Sequence, residues 1–392
     1  MSALLITGIG ELTTNEPELG KPVDAAVVVE NDRIVWVGQA GQAGPADESV
    51  DVEGRAMLPG WVDSHTHLMF GGDRTAEFEA RMAGRPYSAG GISVTVAATR
   101  KASDEQLAAT AGRLVREARV QGTTYLETKT GYGLTVADEV RSARIAARLV
   151  DEVTFLGAHI VPEEEDPSSY VDKVTGPMLD GVAGLVRWVD VFCERGAFDE
   201  AQSERVLLAA AERGIGRRVH GNQLGAGPGV RLAVHWGAAS VDHCCYLDRS
   251  DVDALAGSWD DGADGTVATV LPACDLSTMG PLAPARRVID AGAVVAIASN
   301  ANPGSSYTTS MAFCVATAVL QMGLSVDEAV WAATRGGAKA LRADAGDGAV
   351  GVIRPGARAD LHVLDAPSAT HIAYRPGVPL TWAVWRAGRR EV

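Results

Sequence analysis

The sequence predicts an α/β fold: a (β/α)8 TIM-like barrel carrying a small β-sandwich domain built from the two chain ends. Three observations predict it. Eight short apolar runs alternate with longer helix-compatible segments, the pattern of parallel strands joined by crossover helices. Six of the eight runs end in a residue that can bind a metal or move a proton, and barrel active sites are built at the C-terminal ends of the strands. Paired β-type runs stand near both termini.

The eight strand candidates are 57–65, 123–128, 153–159, 188–194, 216–220, 239–243, 266–271 and 294–300. Helix-compatible segments at 104–120, 136–149, 201–212 and 326–333 lie between or after them. At the N-terminal end, 25–38 carries two β-branched runs around Asn31-Asp32, which reads as a hairpin. At the other end, 359–364 and 380–385 form a matching pair. Because an isolated hairpin is marginal in water, the two ends are expected to pair with each other. The predicted domains are therefore 1–56 with 346–392 as a composite β domain, and 57–345 as the catalytic barrel. A chain of 392 residues accommodates both, since a barrel needs roughly 250.

Composition narrows the function. Lys and Arg number 35 against 50 Asp and Glu, a formal charge of −15, which opposes non-specific binding to nucleic acid or to an anionic membrane. An anionic substrate would then need a local basic clamp. Residues 1–10 hold no Lys or Arg and lack the pattern of a signal peptide, and no apolar stretch reaches the roughly 20 residues that span a bilayer, so a cytoplasmic protein is expected. Five scattered cysteines without CxxC spacing read as reduced thiols, mostly core fillers.

The strand ends carry the chemistry. They are His65 with His67, His159, Glu194, His220, His243 and Asn300, so that five of the eight histidines fall at one end of the predicted barrel. His65 and His67 at i and i+2 on a strand point to one face and can grip one cation. Zinc and ferrous iron both accept imidazole nitrogen, and the residues do not choose between them. His235 sits in a helix-like segment, and His362 and His371 lie in the C-terminal module.

Five stretches in order, His65-Thr-His-Leu-Met-Phe-Gly-Gly-Asp-Arg74, Lys129-Thr-Gly-Tyr-Gly-Leu134, Phe155-Leu-Gly-Ala-His159, Val189-Asp-Val-Phe-Cys-Glu194 and Asn302-Pro-Gly-Ser305, make the chain resemble the amidohydrolase superfamily and, within it, the imidazolonepropionases. The resemblance implies hydrolysis of 4-imidazolone-5-propanoate to N-formimino-L-glutamate in histidine degradation, one divalent metal (Zn or Fe) and a homodimer. It also implies that His65, His67 and His220 bind the metal, with Asn300 at the fourth position. His243 would be the acid/base, and Arg74, Tyr87, Tyr132, His159, Asn302, Gly304 and Ser305 would hold the substrate. The residues agree with this, since Arg74 can pair bidentately with a propionate and a tyrosine in a Gly-Tyr-Gly loop can add a hydroxyl.

Two positions depart from the pattern it resembles. Asn300 stands where Asp is expected, and Gln223 where Glu is expected, three residues after His220. Both replace a carboxylate by its amide, which leaves His243, with an ordinary pKa near about 6.5, to carry proton transfer. Two other readings stay open: a metal-dependent deaminase or hydrolase of another cyclic amidine or amide, and a catalytically inactive barrel used for assembly. Arg74 and the tyrosines favour an acidic substrate over a neutral base.

Overall fold

The computed structural model describes residues 3–20, 22, 24–84, 91–262 and 264–392. Eight strands form one sheet in sequential order: β1 (Trp61–Asp63), β2 (Thr123–Lys129), β3 (Glu152–Ala158), β4 (Trp188–Cys193), β5 (Gly216–Gly221), β6 (Ser240–His243), β7 (Val267–Val270) and β8 (Val295–Ile297). Pairing from β2 through β8 is parallel throughout. Just past β1 and β8 the backbone joins, with the Asn300 amide donating to the His65 carbonyl and the His67 amide to the Ala301 carbonyl, both at 2.9 Å. The expected barrel is the one that forms.

Strands β3 and β4 are buried along their whole length, as parallel strands covered on both faces must be. The segment Asp104–Val120 is helical over the predicted range, burying Leu107, Ala111, Leu114, Val115 and Ala118 at helical spacing. Helix Glu200–Glu212 begins at a reciprocal cap between Asp199 and Gln202, and Val326–Trp331 at one between Ser325 and Glu328. The last of these continues through a π-turn, Ala332–Gly336.

The chain divides into two compact units: Met1–Ser64 with Arg116–Tyr125 and Ser310–Val392, and His65–Val115 with Leu126–Thr309. The first holds two further sheets. One is four-stranded, ordered 33–39, 25–30, 3–9, 48–51; the other is five-stranded, ordered 389–390, 381–386, 361–364, 56–59, 11–12. Ile6, Val27, Ile34, Met57, Val363 and Trp385 from both sheets share one core. Burying each such side chain contributes roughly 1.5–3 kcal/mol.

Two expectations need refining here. The two ends do pair, 11–12 and 56–59 joining the sheet of the C-terminal hairpin, but the 25–38 hairpin lies in the other sheet and meets that hairpin only through the shared core, so the small domain is a sandwich by packing. The run expected as the first barrel strand also breaks at Gly60. Its first half pairs with the C-terminal module, Met57 opposite Val363, and only Trp61–Asp63 joins the barrel. A continuous apolar run carries no mark of a change of sheet, because both halves are buried on both faces.

Candidate active site

The candidate site lies within the second unit. Beyond β1, His65 Nε2 and His67 Nε2 lie 3.2 Å apart, and His220 Nε2, near the end of β5, lies 3.4 Å from His67 Nε2. His65 Nδ1 pairs with Asp242 Oδ2 at 2.7 Å and His220 Nδ1 with Asp190 Oδ1 at 3.0 Å. A carboxylate accepts only, so each Nδ1 carries the proton and each Nε2 turns a lone pair inward. His67 Nδ1 has no hydrogen-bond partner among the described residues, so a His67 protonated at Nδ1 would turn a third lone pair toward the other two. Burial holds all three imidazoles well below the usual histidine range; after burial, Lys129 adds to the effect at His65, and His220 at His67. Three neutral imidazoles, two of them oriented by carboxylates, suit a divalent cation.

Behind the trio lies a layer of fully buried charge. Lys129 Nζ meets Glu127 Oε1 at 2.8 Å and Asp190 Oδ2 at 3.3 Å, while Arg218 Nη2 meets Asp242 Oδ2 at 3.2 Å. Burial raises the pKa of Asp190. Burial also acts to raise Asp242, but Arg218 and Lys129 outweigh it and hold that carboxyl low. Both acids thus have cationic partners as well as histidines, and breaking such a buried pair costs about 3–5 kcal/mol. Sequence reasoning missed these residues. The available signal was a charged residue inside an apolar strand, as at Asp190 and Arg218, which is tolerated only when paired.

Left-handed backbone turns the strand ends toward the cavity. His243 has φ +83° and Asn300 φ +53°. Such conformations cost non-glycine residues about 1–3 kcal/mol and persist where the surroundings impose them. Burial lowers the His243 pKa to about 4, so the ring is neutral at pH 7. Asn300 Nδ2 lies 3.4 Å from Ser305 Oγ, and its Oδ1 is buried without a hydrogen-bond partner among the described residues. An orphaned amide oxygen beside three imidazoles is a suitable fourth donor.

The cavity is lined by His67, Arg74, Tyr132, His159, His220 and Gln223, together with His243, Asn300, Asn302, Ser305 and two residues not foreseen, Ile92 and Phe192. At about 30 Å³ it has room for roughly one water, so admitting a substrate requires side chains to move. Tyr87 lies outside the described residues. Glu194 does not line this cavity, accepting instead the amides of Gln223 and Leu224.

The Arg74 side chain is 3% exposed and bound to Glu77, with Nε donating to Oε2 at 2.7 Å and Nη2 to Oε1 at 2.5 Å. Its Nη1 lies against Gly304, where a Cβ would fall 2.0 Å away, so any larger residue there would displace the guanidinium from this position. Tyr132 follows Gly131, whose φ of +107° and approach to the Leu156 carbonyl, 2.6 Å from a built Cβ, both require glycine. Glu139, also unforeseen, accepts the amides of Gly131, Gly133 and Leu134 at 2.8–3.0 Å and so shapes this loop. His159 Nδ1 donates to the Gly131 carbonyl at 2.9 Å and its ring stacks on His67. Burial lowers the His159 pKa to about 4. Asn302 is spent on its own loop, its Oδ1 accepting the Gly304 and Ser305 amides at 2.8 Å each.

The amidohydrolase family pattern matches residues 56–381. The chain belongs to the amidohydrolase family. Within the family it is 68% identical over its full length to the imidazolonepropionase of Saccharopolyspora erythraea, covering 99% of that protein. It is 58% identical over the full length of both chains to that of Streptomyces coelicolor. Among solved structures it resembles an atrazine chlorohydrolase mutant from Arthrobacter aurescens complexed with zinc and atraton (TM-score 0.74, 19% identity, 99% of this chain and 95% of that one). An adenosine deaminase from Xanthomonas campestris with bound zinc is similarly related (TM-score 0.74, 20% identity, 99% and 92%). At that identity the likeness shows the amidohydrolase fold alone. As in any amidohydrolase, the site must be read from its own side chains, and the three imidazoles with the Asn300 oxygen suit a divalent metal. Among the described residues no helix is long and apolar enough to cross a membrane.

Proposed function

We propose that this amidohydrolase opens the ring of 4-imidazolone-5-propanoate, giving N-formimino-L-glutamate. One observation carries the reading: the cluster of His65, His67 and His220 opens on a cavity that also holds the neutral imidazole of His243 and the Arg74 guanidinium. Hydrolysis of an anionic cyclic amide needs those groups together. The likeness to imidazolonepropionases over the full chain specifies the ring.

His65, His67 and His220 would hold one divalent metal, zinc or iron, with the Asn300 oxygen as fourth donor. When bound, such a cation polarises a carbonyl and acidifies water. The chain's own residues do the rest. Arg74 binds the propionate, and Tyr132 and His159 bracket the ring so that its carbonyl faces the imidazole cluster. His243, neutral at pH 7, accepts a proton from the attacking water. As the water oxygen bonds to the ring carbonyl carbon and the carbon–nitrogen bond breaks, His243 returns that proton to the departing nitrogen. Gln223 and Asn300 are amides and do not titrate, so they donate or accept hydrogen bonds only.

The test is an ultraviolet assay of imidazolone loss run beside an ammonia assay on purified protein. Imidazolone loss without ammonia release supports ring opening; ammonia release from a cyclic amidine would move the assignment to a deaminase. Inactivity of the metal-loaded protein on both would favour an assembly role.

A further inference from the structure

A second group of donors lies beside the first. A ring nitrogen of His243, the Cys274 sulfur and an Asp275 carboxylate oxygen all lie within 4.8 Å of one another. All three residues are at most 2% exposed. His243 comes from the end of β6, whereas Cys274 and Asp275 come from the helix Pro272–Thr278 that follows β7. His243 Nδ1 is buried without a hydrogen-bond partner among the described residues. A fourth donor stands close, since Cys245 Sγ lies 3.2 Å from Asp275 Oδ1. The other oxygen, Asp275 Oδ2, accepts the Ala283 amide at 3.1 Å, which fixes the carboxylate in place.

We propose that His243, Cys274, Asp275 and Cys245 form a second cation site that takes a thiophilic divalent ion such as zinc, separate from the three-imidazole site. Two sulfurs, one nitrogen and one oxygen make a donor set that zinc and cadmium accept and that magnesium and calcium do not. Zinc bonds of about 2.0–2.3 Å place tetrahedral donors roughly 3.3–3.8 Å apart, so His243, Cys274 and Asp275 must close by about an ångström through side-chain rotation, and Cys245, held 3.2 Å from Asp275 Oδ1, must turn toward them. A thiol–carboxylate hydrogen bond in the core would explain Cys245 and Asp275 alone. It leaves the His243 nitrogen orphaned and gives no reason for a second sulfur beside it.

The site has its own approach. Cys245 and Asp275 line a cavity of about 420 Å³ with Arg81, Tyr246 and Met279, and Gln223 is the residue common to this cavity and the catalytic one. Occupancy would tie up His243, so excess zinc would inhibit. The inhibition rests on the role proposed above for His243, while the binding does not.

The test uses the full-length holoprotein carrying its first metal equivalent, dialysed against buffered zinc and, separately, cadmium. Bound metal is counted by elemental analysis, and the ultraviolet cadmium–thiolate charge-transfer band is recorded, which a site built of imidazoles cannot give. The expected result is a second equivalent with that band in the natural protein, lost in Cys274→Ala and weakened at least tenfold in Cys245→Ser and Asp275→Asn. Should Cys274→Ala fail to fold, the near-isosteric Asp275→Asn decides. A single equivalent in the natural protein, a second without the thiolate band, or unchanged second-site affinity in Cys245→Ser and Asp275→Asn would overturn the proposal. A second equivalent that binds with its band yet leaves turnover untouched would uphold the site and refute the role of His243.

Discussion

Replacing Arg74 by alanine tests the anion clamp most directly. Of the five guanidinium N–H groups, two point to Glu77, which leaves the Nη1 pair and one Nη2 hydrogen for a carboxylate. With the side chain 3% exposed, solvent does little to screen that contact. Charge-assisted hydrogen bonds of this kind contribute ~1.5–3 kcal/mol. At about 1.36 kcal/mol per decade, Arg74→Ala should lower kcat/KM about 10- to 100-fold. The propionate is remote from the breaking bond, so most of the loss should fall on KM, as expected for an interaction equal in ground and transition states. Steady-state kinetics on the natural substrate and on a ring analogue lacking the carboxylate make the assay complete: the substitution should cost little with the analogue. Arg74→Lys, which keeps the charge but loses the fork, should fall between. Glu77→Gln should raise KM by less than Arg74→Ala, because it loosens the guanidinium without removing it. Wild-type kinetics in Arg74→Ala, or an equal loss on the analogue, would refute the clamp.

Other outcomes follow from the same geometry. Asn300→Asp adds a negative donor where an amide oxygen is orphaned, so the protein should hold its metal longer against a competing chelator; unchanged resistance would place Asn300 away from the metal. Asp242→Asn puts an amide opposite His65 Nδ1 and disturbs the tautomer that turns Nε2 inward, so metal affinity should fall by about 10- to 100-fold; equal affinity would show that Asp242 does not orient His65. His362, in the first unit, has its pKa lowered to about 3 by burial. The unfolded chain takes up that proton near about 6.5 and the folded one does not, so this residue's contribution is intact above about 6.5 and is lost as pH falls toward 3. The loss is on the order of 5 kcal/mol when complete, at about 1.36 kcal/mol per unit. Denaturant titrations of His362→Gln should show a shallower acid decline than the natural protein, and an unchanged slope would count against it.

Much of the candidate site was legible because histidines interrupt apolar strands at their ends. His65, His67, His159, His220 and His243 all fall at strand ends in the primary sequence, and the structure gathers them: four line one cavity, and His65 packs against His67 and His220. Their partners were hidden for a physical reason. Asp190, Asp242, Lys129 and Arg218 come from four strands, and nothing local says which cation faces which acid. Glu77 and Glu139 stand in the first turns of helices Thr75–Met82 and Val136–Ala146, a common placement for acids because it complements the helix dipole. Only the fold shows that one engages Arg74 and the other cradles the Tyr132 loop.

The sequence by itself determined the alternation of strands and helices, the count of eight, and the level at which the polar strand ends gather, since periodicity and residue type are local properties. The tertiary structure decided what depends on distant contacts. It split the 57–65 run between two sheets at Gly60, set the two end hairpins in separate layers, and paired His65 and His220 each with a carboxylate from another strand. It also placed His243 beside Cys274 and Asp275, about thirty residues further along the chain. Period and propensity reach only a few residues, whereas burial and charge pairing act between whichever segments closure brings together.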